Sequence, residues 1–192
     1  MKCLLTAINA KYIHSNLAVY SLKAYADKYL SEYAPCEGGK HPVVTELGEY
    51  TINHRKEDIL KDIYGRHPDI VAFSCYIWNM DYVEWLIREV PKVLPGVKLW
   101  LGGPEVSYDP EDALRRWPAV EGVMMGEGEE TFCRLMAYYA GEGDTLAGIP
   151  GIAFRLQDKT VQAGQWAPLI SMDRIPFPYD GLEDFENRII YY

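Results

Sequence analysis

Two four-residue turns, Gly102-Gly103-Pro104-Glu105 and Gly126-Glu127-Gly128-Glu129, carry the features best suited to holding a ligand. Glycine placed where a strand hands over to a helix lets the backbone take φ > 0 and approach a bound molecule closely. The glutamates Glu105, Glu127, Glu129 and Glu130 could pair as carboxylates for acid–base work. At a helix start, however, acidic residues ordinarily serve as solvated partners of the helix dipole. His14 is placed near the turns by the expected topology, whereas His41, His54 and His67 fall in loops or at a helix end. No serine stands beside a histidine in a nucleophile pattern, and no Walker lysine or complete G-x-G-x-x-G is present. The half match Gly126-x-Gly128 follows the last parallel strand rather than the first. Cys3, Cys36, Cys75 and Cys133 are scattered without C-x-x-C spacing, so they propose neither a zinc site nor an iron–sulfur cluster. No catalytic or metal-ligating residue is assigned. The pattern suits binding.

The elements that must position these turns follow from periodicity. Apolar runs alternate with helical patterns over the first 140 residues or so, which predicts strands at Lys2–Ile8, Val43–Tyr50, Asp69–Ser74, Val97–Leu101 and Gly122–Met125. Helices are expected over Asn16–Tyr33, with Ser15 or Asn16 as cap, and over Arg55–Tyr64, Met80–Val93 and Pro110–Trp117. A further helix opens at the second glycine turn and runs to Tyr139. Such alternation implies an α/β, doubly wound, flavodoxin-like five-stranded parallel sheet of order 2-1-3-4-5. Beyond Gly141 the pattern changes to a hairpin, Ile152–Leu156 and Thr160–Gln165 joined by Gln157-Asp158-Lys159, then to a proline-interrupted extended linker. The last residues, Arg188–Tyr192, read as a strand without a cap, as in a fragment of something longer.

In an open parallel sheet, ligands bind at the carboxyl ends of the strands. That edge gathers Asn9 to Ser15 after the first strand, Ser74 to Asn79 after the third, and both glycine turns. Aromatic rings, hydroxyls, amides and bare backbone suit a large, partly flat ligand held by stacking and backbone hydrogen bonds.

Of the 192 residues 48% are hydrophobic, so a sizeable core is available. A formal charge of −9 argues against a nucleic-acid partner. No apolar run is long enough to span a bilayer, and the N-terminus lacks the form of a signal peptide. Unpaired cysteines suit a reducing cytoplasm.

Taken together, the two glycine turns, Ser74 after a third strand led by Pro68-Asp69-Ile70-Val71, and the linker Ile175-Pro176-Phe177-Pro178 resemble one family. It is the N-terminal cobalamin-binding domain of cobalamin-dependent radical S-adenosylmethionine proteins. That group includes anaerobic magnesium-protoporphyrin monomethyl ester oxidative cyclases and several methyltransferases. The resemblance covers essentially the whole chain. It implies cobalamin on the carboxyl edge, with a site lined by Tyr12, His14, Ser15, Ser74 and Tyr76, by Gly102, Gly103, Pro104 and Glu105, and by Gly126, Glu127 and Gly128. The cofactor's nucleotide tail would thread beside the glycine turns, where absent side chains leave room. It also implies a cobalamin-binding domain at 1–145, then a hairpin and linker at 146–192 leading to a radical domain absent from this chain. There a C-x-x-x-C-x-x-C motif would hold a [4Fe–4S] cluster and S-adenosylmethionine. The implied reaction is methyl transfer or cyclase-type chemistry on an unknown small molecule, with the chain's own radical domain as partner. The better-known cobalamin fold ligates cobalt with the histidine of D-x-H-x-x-G after its first strand. Here that loop is Asn9-Ala10-Lys11-Tyr12-Ile13-His14 and lacks the pattern; members of the radical family often bind the cofactor without it. A different class stays open: a non-catalytic doubly wound scaffold or docking module that has lost the cofactor. A receiver-like signalling domain is disfavoured, because Asn9 and Ser74 stand where acidic residues would be needed.

Overall fold

The computed structural model describes residues 1–11, 15–35, 43–143, 145–156 and 161–179. Its strands are β1 (Lys2–Asn9), β2 (Val44–Thr51), β3 (Ile70–Ser74), β4 (Lys98–Gly102), β5 (Val120–Met124), β6 (Ile152–Arg155) and β7 (Val161–Ala163). The helices are α1 (Leu17–Tyr33), α2 (Lys56–Arg66), α3 (Met80–Val93), α4 (Pro104–Ser107), α5 (Pro110–Arg116) and α6 (Glu129–Tyr139). The five parallel strands take the order β2-β1-β3-β4-β5, as expected from the alternation.

The sheet does not end there. β6 pairs antiparallel with β5, and β7 with β6, so the hairpin extends one mixed seven-stranded sheet instead of standing beside a five-stranded one. The turn before β6 makes this possible: Gly151, at φ 75°, offers its carbonyl to Met125 N at 2.7 Å. The first glycine turn also holds a short helix, α4, that sequence periodicity is too coarse to register. Leu146–Gly148, ahead of the hairpin, and Met172–Arg174, within the stretch read as extended linker, form single 3₁₀ turns. The expected strand at Arg188–Tyr192 and the tip Gln157-Asp158-Lys159 lie outside the described residues.

Two apolar layers flank the sheet. On one face Leu4, Ile8, Val71, Phe73, Leu99, Leu101 and Val123 pack against α2, α3 and α5 through Ile59, Leu86, Leu114 and Trp117. On the other, Leu5, Ala72, Trp100 and Met124 pack against α1 and α6 through Val19, Tyr25, Phe132 and Met136. Because side chains alternate along a strand, each strand feeds both layers. On the α1/α6 face their size falls toward the carboxyl end, from Ile70 through Ala72 to Ser74 in β3, and from Trp100 to Gly102 in β4. Trp100 is buried, with room made by Gly122, whose Cβ would stand 2.3 Å from its ring. Its Nε1 donates to Tyr139 Oη at 2.8 Å, and that hydroxyl donates to Glu121 at 2.6 Å. Trp100 therefore plugs the lower half of this layer, and the small residues leave its upper half open.

After β7 the chain crosses the outside of α6 and α1. Arg174 pairs with Glu32 at 3.0 Å and lies over the Tyr29 ring at 4.9 Å. Tyr179 then reaches Ser15, with 3.0 Å between their oxygens, and packs on Tyr20 with ring centroids 5.4 Å apart. The strap thus returns to the start of α1, at the carboxyl edge.

Candidate functional site

The open upper half of the α1/α6 layer is a cleft of about 350 Å³ at the carboxyl ends of β3, β4 and β5. Its floor is Leu5, Ala72 and Met124, and α1 supplies Ala18, Val19 and Leu22. The first glycine turn contributes Gly102, Gly103, Pro104, Ser107 and Tyr108; the second contributes Gly126, Glu127, Gly128 and Glu129. Ser74 and Tyr76 border it from β3, Trp166 from the strap. Among the described residues, none that lines the cleft is a lysine, arginine or histidine. The walls are apolar with isolated hydroxyls and carboxylates, a lining that suits a neutral, flat group better than a phosphate.

Hydrogen bonds fix the two loops beside the cleft. The Glu49 carboxylate, at the end of β2, accepts from Asn9 Nδ2 at 2.9 Å, Asn16 N at 3.1 Å and Tyr20 Oη at 2.7 Å, which ties α1 to β1 and β2. Asn79, fully buried, donates to Ile8 O at 3.1 Å and Ser74 O at 2.8 Å and accepts from Tyr76 N at 2.9 Å. This side chain shapes the loop after β3 and holds Tyr76 at the cleft, where its ring stacks on Trp78 with centroids 4.5 Å apart. Asn16 Nδ2 donates to Ser74 Oγ at 3.0 Å, while Asn16 Oδ1 is buried without a partner among the described residues. Ser107 Oγ donates to Gly103 O at 2.8 Å.

The glycines of the turns serve different ends. Gly103 sits at φ 106°, and a Cβ there would lie 2.5 Å from Cys75 O. The backbone itself requires glycine. At Gly102 a Cβ would stand 3.7–3.8 Å from Met124, an ordinary contact, so its missing side chain leaves cleft volume free. Gly126, at φ 73°, lies under Trp166, whose ring carbons are 3.0–3.1 Å from where its Cβ would be. Gly128 lets α1 approach α6, with Leu22 Cδ2 at 3.0 Å from the Cβ position.

Of the residues expected at the site, Ser74, Tyr76, Gly102, Gly103, Pro104, Gly126, Glu127 and Gly128 are brought together in the cleft lining. Glu105 is exposed on α4 and does not line it, because the helical period turns it outward from Pro104 and Ser107. Ser15 is engaged by Tyr179 rather than by the cleft. Tyr12 and His14 lie outside the described residues. The glutamates behave as helix-start residues: Glu129 accepts from Ser21 Oγ at 2.7 Å and Glu130 pairs with Arg134 at 2.8 Å. Burial pushes the Cys75 thiol up to about 12, so it is no thiolate at neutral pH. No cluster of three metal-ligating side chains occurs among the described residues, and no helix there is long and apolar enough to cross a membrane.

Sequence reasoning missed Leu5, Ala72 and Met124, which the period-2 alternation leading to Ser74 and Gly102 would have identified. It missed Ala18, Val19 and Leu22, which helical spacing could have found. Trp166 has no local signal at all, since it arrives through the fold of the strap.

Comparison with known proteins agrees with this geometry. Residues 4–136 match the family described as the B12 binding domain. Over 112 residues, 58% of its length, the chain is 31% identical to 2-(S-pantetheinyl)-carbapenam-3-carboxylate methyltransferase of Streptantibioticus cattleyicolor, of which it spans 16%. Over 165 residues, 85% of its length, it is 33% identical to cytidylyl-2-hydroxyethylphosphonate methyltransferase of Streptomyces wedmorensis, of which it spans 30%. The fold superposes with a TM-score of 0.72 on the cobalamin-dependent S-adenosylmethionine radical enzyme OxsB with aqua-cobalamin and S-adenosylmethionine bound. That match covers 97% of this chain and 25% of OxsB at 16% identity. Each of these proteins is several times longer than the stretch they share. The family expected from the glycine turns is the one found: this chain belongs to the B12-binding domain family.

Proposed function

We propose that this chain is the cobalamin-binding domain of a cobalamin-dependent radical S-adenosylmethionine methyltransferase. The observation that carries the reading is the cleft of about 350 Å³ held open at Gly102, within the residues that match the family. The residues present fit the cofactor. The volume beside Gly102 is space a Cβ would fill. Asn16 Oδ1, next to Ser74, is a buried acceptor with no partner among the described residues. The described lining is mostly apolar and without cations, which suits the flat heterocyclic base of the tail.

When bound, cobalamin supplies a cobalt centre able to carry and release a methyl group. The chain's own residues seat and orient it. Ser74, whose oxygen already accepts from Asn16, has its own proton available to donate. Gly102 and Gly103 bring bare backbone to the cleft wall, with Pro104, Gly126, Glu127 and Gly128 completing the rim. Tyr76, braced by Trp78, presents an aromatic side chain at the edge. Ser15 and Glu105 flank the cleft without lining it.

The division proposed is 1–145 for the seat and 146–192 for the hairpin and strap. A radical domain beyond the strap is part of this reading. That domain would carry the [4Fe–4S] cluster and S-adenosylmethionine, act on a small-molecule substrate, and work in the cytoplasm. The test is to incubate the full chain with hydroxocobalamin, desalt it, and record the visible spectrum. Retention near one corrin per chain is expected. A folded chain that emerges colourless under oxidising and reducing conditions contradicts the reading and favours a scaffold without cofactor.

A further inference from the structure

We infer that Asn16 is a positioning residue for cofactor retention: anchored by Glu49, it turns the Ser74 hydroxyl so that its proton is offered to the cleft. The inference rests on the cofactor reading above. Asn16 stands at the N-cap of α1, where an asparagine side chain ordinarily accepts a hydrogen bond from the first turn of the helix. Here the side chain makes no such bond. It belongs to a residue only 8% exposed, and its Oδ1 is buried without a partner among the described residues. A cap forgone and a buried acceptor left unpaired both lower stability. In their place stands one long-range contact, from Asn16 Nδ2 to Ser74 Oγ at 3.0 Å. Local rules broken without a structural return mark functional positions.

The donors and acceptors give the direction. A serine hydroxyl has one proton and two lone pairs. Asn16 Nδ2 occupies one lone pair of Ser74, and no acceptor among the described residues takes the proton. Ser74 ends β3 and lines the cleft, so the proton is left for a hydrogen-bond acceptor on the ligand. Both residues are held in place. Asn79 Nδ2 donates to Ser74 O at 2.8 Å, and Asn16 N donates to Glu49 Oε1 at 3.1 Å. Glu49 also accepts from Asn9 Nδ2 and Tyr20 Oη, which fixes Asn16 against the end of β1 and the first turn of α1. Neither Glu49 nor Asn16 lines the cleft, so both act through Ser74.

The experiment titrates the full chain and its variants with hydroxocobalamin, reads affinity by corrin absorbance, and records thermal unfolding of each. Ser74→Ala should bind about tenfold more weakly, as loss of one hydrogen bond to the ligand implies. Asn16→Ala should lose nearly as much affinity while its melting temperature stays at or above wild type. The unpaired Oδ1 goes with the side chain, and no cap is lost. The double variant should bind like Ser74→Ala alone, since one residue acts through the other. Asn16→Asp tests the direction: its carboxylate only accepts, so it takes the Ser74 proton and affinity should fall as in Ser74→Ala. That variant also decides the matter if Asn16→Ala does not fold. Glu49→Gln keeps an acceptor for Asn16 N and should stay near wild-type affinity, whereas Glu49→Ala should not. Wild-type affinity in both Asn16 variants overturns the inference and leaves the cofactor reading standing. A loss in Asn16→Ala that adds in full to that of Ser74→Ala does the same. A folded wild-type chain that fails to bind hydroxocobalamin removes the cofactor reading, and the inference with it.

Discussion

On the face covered by α2, α3 and α5, side chains remain large up to the carboxyl ends of the strands, where Phe73, Leu101 and Met125 are buried. On the face covered by α1 and α6, the same strands end in Ser74 and Gly102, and the layer opens into the cleft. The two faces are built from alternate residues of the same few strands, so the difference lies in side-chain size at two or three positions. A closed face and a receptive face can therefore share one backbone, and the receptive one is made by omission.

The largest way to break this comparison is at the backbone both faces share. Gly103→Val places a β-branched residue at φ 106° with its Cβ 2.5 Å from Cys75 O. The strain and overpacking should cost roughly 4 kcal/mol or more, a large part of total stability. Denaturant unfolding should find little or no folded protein. Next in size is a paired truncation. Leu86→Ala on the closed face removes a fully buried side chain and should cost about 3 kcal/mol. Leu22→Ala, beside the cleft, should cost about 1 kcal/mol, because Leu22 is only partly buried and already borders open space. Equal losses would mean that the cleft is closed in solution.

Alkali should act on both faces. Cys75 on the closed face and Cys133 on the cleft face are both pushed from 9.0 up to about 12, chiefly by burial. Above pH 9 the unfolded chain ionises these thiols while the folded chain keeps them protonated. Stability should thus fall between about pH 9 and 12, by about 1.4 kcal/mol per pH unit for each thiol. Chemical denaturation of Cys75→Ala and Cys133→Ala should show a shallower fall in both variants. The smallest effect concerns the strap. Arg174→Ala removes the Glu32 pair and the Tyr29 contact, both at the surface. It should leave the melting temperature unchanged and hasten proteolysis between Gln165 and Tyr179.

Much of this was legible in the chain itself. The alternation of Asp69–Ser74 and Val97–Leu101 with helical patterns is a local signal, and it yields the order of the five parallel strands. The glycine turns mark the ligand edge for the same reason. Other features depend on contacts between distant residues and leave no periodic trace. The hairpin joins the main sheet because β6 finds β5, an option a free hairpin shares with many others. Gly102 and Gly103 look alike in sequence, yet one spares volume and the other satisfies φ and the Cys75 carbonyl. Trp166 reaches the site only because the strap passes over Gly126. Pro104, Ser107 and Tyr108 line the cleft while Glu105, on the outer side of α4, does not, so adjacency in sequence does not carry into the site.

The seat exists because Gly102 has no side chain. Gly102→Val tests this most directly, since a Cβ there meets only ordinary contacts and a strand tolerates valine. Thermal unfolding should stay close to wild type, while hydroxocobalamin, incubated with the variant and desalted, should no longer be retained. A variant that stays folded and keeps as much corrin as the wild type would contradict the account.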